Sequence, residues 1–121
     1  MNEQFVYDTY ALIEILKENP SYLPYTEFKP IINEFIFAEF CYNLFKDNIE
    51  NPEIYIEEVK SSVLHTDLKW IEEAMKFRLK WKKRKVSMAD CIGYIVAEKL
   101  GIKFLTGDKE FYGMENVEFV R

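Results

Sequence analysis

Residues 4–17 read Gln4-Phe5-Val6-Tyr7-Asp8-Thr9-Tyr10-Ala11-Leu12-Ile13-Glu14-Ile15-Leu16-Lys17, and this stretch decides the fold. Gln4 to Tyr7 is a short apolar run that stops on an acid. From Tyr10 to Lys17 the apolar residues Ala11, Leu12, Ile15 and Leu16 recur at helical spacing. A strand that passes through an acidic turn into a helix is the repeating unit of parallel α/β folds.

The same alternation continues along the chain. Short strands are expected around Pro30–Ile32, Ser62–His65, Lys103–Thr106 and Val117–Val120. Pro20, Pro24 and Pro30 leave room for only a short helix between Ser21 and Phe28. A longer helix over Glu34–Lys46 is capped by Asn33, and Pro52 opens the next, Glu53–Lys60, with Ile54, Ile56 and Val59 as its apolar positions. Asp67–Lys83 is expected to be the longest helix, its core stripe Trp70, Ala74, Phe77 and Trp81 with Ile71 alongside. Ser87–Leu100 has a serine cap at its start and Gly101 just past its end. Repeats and low-complexity segments are absent. The expected architecture is a three-layer α/β/α fold with a mainly parallel central sheet.

With 121 residues, 49% hydrophobic and 17% aromatic, the chain reads as a single domain over residues 1–121 with a core of its own, and disorder is excluded as its main state. No apolar run approaches the roughly 20 residues of a membrane span, and Met1-Asn2-Glu3-Gln4 lacks the basic and apolar blocks of a signal peptide. A cytoplasmic protein without membrane contact is the expectation. Cys41 and Cys91 lie far apart without CxxC spacing and read as reduced, buried thiols. A single histidine, His65, excludes a His-rich zinc site, so catalysis here would rest on carboxylates, lysines or a metal held by oxygen.

The net charge of −5 does not advertise a nucleic-acid binder, yet it hides a local contrast. Residues 78–85 carry six positive charges in eight positions: Arg78, Lys80, Lys82, Lys83, Arg84 and Lys85. The run reads either as a solvated helix end that complements the helix dipole or as a set of phosphate contacts for RNA.

Four acids invite closer reading. Asp8 and Asp108 each follow an expected strand, where open parallel sheets bind their ligands, although aspartate is also a common turn residue. Glu39 interrupts Phe35-Ile36-Phe37-Ala38 and Phe40-Cys41-Tyr42, so its carboxylate is expected to be partly buried. A buried charge must be paired, protonated or bound to a cation; a salt bridge or a hydrogen bond to Asn43 is the competing reading. Asp90 stands third after Ser87, the spacing of a capping box, and the same place keeps it ionised at the positive helix end. Gly93 allows that helix to approach its neighbours closely. Four carboxylates about 5 Å apart would repel by roughly 3 kcal/mol per pair at an effective dielectric of 20, so such a cluster needs a compensating cation. Oxygen-only ligation suits Mg2+ or Mn2+.

Together these residues resemble the PIN-domain nucleases, and within them the VapC-type toxins of toxin–antitoxin pairs. The resemblance rests on Val6-Tyr7-Asp8-Thr9, Phe37-Ala38-Glu39-Phe40, Ala89-Asp90-Cys91-Ile92 and Leu105-Thr106-Gly107-Asp108-Lys109-Glu110-Phe111, in that order and spacing. It implies that Asp8, Glu39, Asp90 and Asp108 hold one or two Mg2+ or Mn2+ ions, with the Thr9 hydroxyl assisting and Glu110 as an auxiliary acid. It further implies a metal-dependent endoribonuclease that leaves 5'-phosphate and 3'-hydroxyl ends, a homodimer, and inhibition by a VapB-like antitoxin. Three positions depart from the family pattern. Cys91 stands where alanine is commoner, Gly107 where a bulkier residue is, and Glu110 where an aspartate is frequent.

Tyr10 and Phe111 neighbour the acids and could stack on a base, but in so aromatic a chain they read first as packing residues. Haloacid-dehalogenase phosphatases are excluded because position 10 is Tyr, and receiver domains because no aspartate ends a strand between residues 50 and 66. A housekeeping RNA-processing nuclease and a noncatalytic PIN-like binding module are the alternatives.

Overall fold

The computed structural model describes residues 3–121; the N-terminal reading therefore falls partly on Met1 and Asn2, outside the described residues. Five short strands form the centre: β1 (Phe5–Tyr7), β2 (Ile32–Asn33), β3 (Val63–Leu64), β4 (Lys103–Thr106) and β5 (Val117–Phe119). β4 lies between β1 and β5, with Val6 opposite Phe104 and Tyr7 opposite Leu105. β2 pairs with β3, and a bridge from Val6 to Ile31, with Tyr7 N–H on the Ile31 carbonyl at 3.0 Å, joins the two ribbons edge to edge. All these pairings are parallel, and the spatial order is 3-2-1-4-5. The order reverses between β1 and β4, which makes their carboxyl ends the place where such a sheet opens a crevice.

Five helices cover the sheet: α1 (Thr9–Leu16), α2 (Glu34–Lys46), α3 (Pro52–Lys60), α4 (Leu68–Lys80) and α5 (Met88–Leu100). Strand alternation sorts the core into two faces. Phe5, Tyr7 and Leu105 pack with Leu12, Tyr22, Ile36 and Phe40 from α1, α2 and the segment between them. Val6 and Phe104 point the other way, to Ala74, Ile92, Val96 and Phe111. This is the expected three-layer arrangement. Gly93 permits the close fit of α5: a methyl group there would stand 2.7 Å from the Phe104 ring and 3.0 Å from Ile36.

Pro20–Glu27 is a 3-10 helix, capped by Asn19 and interrupted by Pro24, which can donate no helical hydrogen bond. α4 stops at Lys80, short of the expected Lys83, and at 13 residues it equals α2 and α5 and is not the longest helix. Past it, Arg84 N–H turns back to the Trp81 carbonyl at 2.8 Å, and the Arg84 guanidinium reaches the Glu110 carbonyl at 2.5 Å. The last turn of α4 carries Arg78 and Lys80, and the chain beyond it is held by these contacts outside the helix. Of the expected stripe only Ala74 is fully buried. Phe77 stacks on Tyr94 at 5.1 Å and Trp81 leans on Phe77 at 5.7 Å, both half-buried. Cys91 is buried as expected, whereas Cys41 is only half-buried; both thiols are free. Among the described residues no helix is long and apolar enough to cross a membrane.

Candidate functional site

Three of the four acids owe their positions to helix starts. Asp8 follows β1 directly and caps α1, its Oδ1 accepting the Ala11 N–H at 2.7 Å. Asp108 lies two residues past β4 and caps the 3-10 turn Lys109–Phe111 through the Glu110 N–H at 2.9 Å. Asp90 occupies the first turn of α5, where Ser87 Oγ accepts its N–H at 3.0 Å, the forward half of a capping box. The positive ends of these segments favour anions at the same mouth. Glu39 comes from the second turn of α2, whose start is fixed by Asn33 Oδ1 accepting from Phe35 and Ile36, each at 2.8 Å.

The four carboxyls meet at the carboxyl edge of β1 and β4. Glu39, Asp90 and Asp108 line a cleft of about 580 Å³ with Thr9, Ala38, Tyr42, Asn43, Lys85 and Ser87. Asp8 lies beneath, 1% exposed. The Thr9 hydroxyl donates to Glu39 Oε1 at 2.8 Å and so ties α1 to α2 across the cleft. Asn43 donates to the Glu39 backbone carbonyl at 2.9 Å and not to its carboxylate, which removes the competing reading of that side chain. Among the described residues no lysine or arginine pairs with any of the four acids.

Burial and mutual repulsion set their electrostatics. Asp8 is pushed up to about 7, first by desolvation and then by the charges of Asp108 and Glu39, against the pull of its bonds to Thr106 and Ala11. Asp90 is driven well above the usual carboxylate range by burial, then by Asp8, Glu39 and Asp108. Asp8 and Asp90 therefore feel the neighbouring acids through a poorly solvated medium. Among the described residues no three Asp, Glu, His or Cys side chains already surround one point as ligands.

Asp90 Oδ1 is buried without a hydrogen-bond partner. Leaving such an acceptor unmatched costs about 1–3 kcal/mol, more when it is charged. A hard cation supplies the missing partner, and a set of four carboxylates with a nearby hydroxyl suits Mg2+ or Mn2+ in donor chemistry. The residues present fit the ion.

Thr106, part of the motif but assigned no role from sequence, is the main positioning residue. Its hydroxyl donates to Asp8 Oδ2 and accepts the Asp108 N–H at 3.0 Å. Gly107 follows because nothing larger fits: a methyl group would collide with the Tyr10 ring and the Val120 carbonyl. Tyr10 is thereby held in packing, and Phe111 is fully buried. Glu110 turns away from the cleft, its carboxylate accepting the Lys85 N–H at 3.2 Å. Of the basic run only Lys85 lines the cleft. Arg84 lies over Trp81 at 4.3 Å, and Arg78, Lys80, Lys82 and Lys83 are exposed outside the cleft lining. A second, apolar groove of about 430 Å³, walled by Leu12, Leu16, Phe28, Tyr55 and Val59, lies apart from the acids.

Comparison with known structures finds the same fold in microbial proteins of low identity. VapC20 of Mycobacterium tuberculosis, described as a sarcin-ricin loop cleaving toxin, is 17% identical, with a TM-score of 0.75 over 98% of this chain and 100% of that one. A chain of a toxin-antitoxin complex from Klebsiella pneumoniae is 17% identical, with a TM-score of 0.73 over 95% and 96%. A chain of VapBC2 from Rickettsia felis, bound to a promoter DNA fragment, gives 0.64 at 16% identity over 97% and 98%. No curated protein sequence matches the chain. The family model for the PIN domain matches residues 5–117, from the first strand to the last and across all four acids; the chain belongs to the PIN domain family.

Proposed function

We propose that the protein is a divalent-cation-dependent endoribonuclease, the toxin of a VapBC-type pair acting in the cytoplasm. The observation that carries this reading is the convergence of Asp8, Glu39, Asp90 and Asp108 on one cleft with an unpartnered buried oxygen on Asp90. The single domain, residues 1–121, holds the whole site.

Asp8, Glu39, Asp90 and Asp108 would hold the cation, Mg2+ or Mn2+, as one ion or two. When bound, it lowers the pKa of a water and offsets charge on the phosphate undergoing attack. Asp8 is the fixed base of the set, because Thr106 and Ala11 each engage one of its oxygens and define its rotamer. Thr9 orients Glu39, and Asp90 and Asp108 face the open cleft where a phosphodiester enters. Glu110 acts at a distance, by ordering the connection that carries Lys85. Hydrolysis leaves 5'-phosphate and 3'-hydroxyl ends.

An antitoxin partner is supported by the toxin–antitoxin complexes among the related structures and by the separate apolar groove beside α1 and α3. The protein acts as a homodimer in this reading. Purified protein incubated with RNA and Mn2+ should cleave it, and Asp8→Asn should abolish cleavage. Equal activity in both samples would mark contamination, and inactivity of the wild type across RNA substrates would favour a noncatalytic binding module.

A further inference from the structure

Glu39, Tyr42 and Asn43 follow one another at i, i+3 and i+4 on α2, so a single helix face offers a carboxylate, an aromatic ring and an amide to the same cleft. Tyr42 lines the mouth of this cleft and is 65% exposed, so its ring is open to an incoming ligand. Lys46 stands 5.8 Å from the ring centroid, near the outer limit of a cation–π contact. Asn43 spends one amide proton on the Glu39 carbonyl and keeps its side-chain oxygen for another partner.

Lys85 enters the same cleft from a different element, and its place is built. The Glu110 carboxylate holds its backbone N–H, while the next residue back, Arg84, is tied to the Glu110 carbonyl and laid across Trp81. Among the described residues the Lys85 ammonium has no ion-pair partner. An acidic cleft that admits a polyanion needs such a cation near the attacked phosphate.

We propose that Tyr42 and Lys85 form a nucleotide subsite for single-stranded RNA: an unpaired base stacks on the Tyr42 ring and a neighbouring phosphate meets the Lys85 ammonium. The inference rests on the nuclease reading and deepens it. Duplex RNA is disfavoured because its bases are already stacked, whereas a looped or unpaired nucleotide presents a free face. Arg84 and Glu110 are positioning residues, and the remaining cations of the run lie outside the subsite.

The test uses full-length Asp8→Asn protein, which binds without cutting, and a short single-stranded RNA carrying a stacking-sensitive fluorescent purine. Adding Tyr42→Leu should remove the fluorescence quench and weaken binding roughly tenfold, while Tyr42→Phe keeps both. Lys85→Ala should flatten the plot of log affinity against log salt by about 0.7 for the lost phosphate contact, Lys85→Arg should restore it, and the pair Lys82→Ala with Lys83→Ala should leave it unchanged. An unaltered quench and affinity in Tyr42→Leu overturns the base seat, and an unaltered salt slope in Lys85→Ala overturns the phosphate contact. If the Asp8→Asn parent binds no RNA while the wild type cleaves none, the nuclease reading fails and the subsite falls with it. Cleavage by the wild type with both variants unaffected refutes the subsite alone.

Discussion

The Thr106 hydroxyl joins the two acids at the strand ends, donating to Asp8 and accepting the Asp108 backbone N–H at 3.0 Å. One small side chain thereby fixes the buried carboxylate that follows β1 and the turn after β4. Thr106→Val keeps the shape and deletes both bonds, so it should cost about 1–3 kcal/mol in urea unfolding and weaken Mn2+ binding by roughly tenfold to a hundredfold. Thr106→Ser should recover most of both. Wild-type stability and affinity in the valine variant would remove Thr106 from the site.

Gly107 should tolerate no side chain. Gly107→Ala drives a methyl group into the Tyr10 ring and the Val120 carbonyl, and we expect a loss of about 1–3 kcal/mol in denaturant unfolding. Truncating the ring with Tyr10→Ala should not rescue it, because the carbonyl of the last segment still blocks the space. Full rescue would mean that the ring alone sets the constraint.

The raised carboxyls give the metal-free protein a definite pH response. Asp8 binds its proton more tightly when folded, at about 7 against an ordinary 3.8, so its contribution to stability is full below the ordinary value and is lost as pH rises through 7. Asp90 is shifted in the same direction and adds to the loss. In thermal melts with a chelator, the advantage of wild type over Asp8→Asn should therefore shrink from about pH 4 to pH 8. Added Mn2+ should raise the wild-type melting temperature more at pH 8 than at pH 5. An advantage that grows with pH in chelator would contradict the burial of Asp8 as an isolated acid.

Much of the fold was legible because local signals agreed. Apolar runs ending on Asp8 and Asp108, the caps Asn33 and Ser87, and Gly101 past α5 each act within a few residues. Glu39 stood out as an acid among aromatic neighbours. What escaped depends on long separations: Thr106 meets Asp8 across 98 positions, and Arg84 reaches Glu110 across 26. Tyr10 and Phe111 drew attention through their closeness in sequence to the acids, yet both are packed. Tyr42 is the exposed ring that lines the cleft, and its i+3 spacing from Glu39 is the signal the sequence offers for it.

Trp81 offers a separate check on the connection that carries Lys85. Trp81→Ala removes the surface on which Arg84 rests, 4.3 Å away, and loosens the path to Glu110. Hydrogen exchange should quicken at residues 82–86 with α5 unchanged, since α5 is held by its own buried face. Exchange spreading through α5 would show that the segment is part of the core.

Asp8, Glu39, Asp90 and Asp108 are proposed to act together in binding the divalent cation, as one ion or two, and calorimetric titration with Mn2+ tests this most directly. Wild type should bind, and Asp8→Asn, Glu39→Gln, Asp90→Asn and Asp108→Asn should each weaken binding by at least about tenfold while remaining folded. Affinity undiminished in all of the single variants, or absent from the wild type, would contradict it.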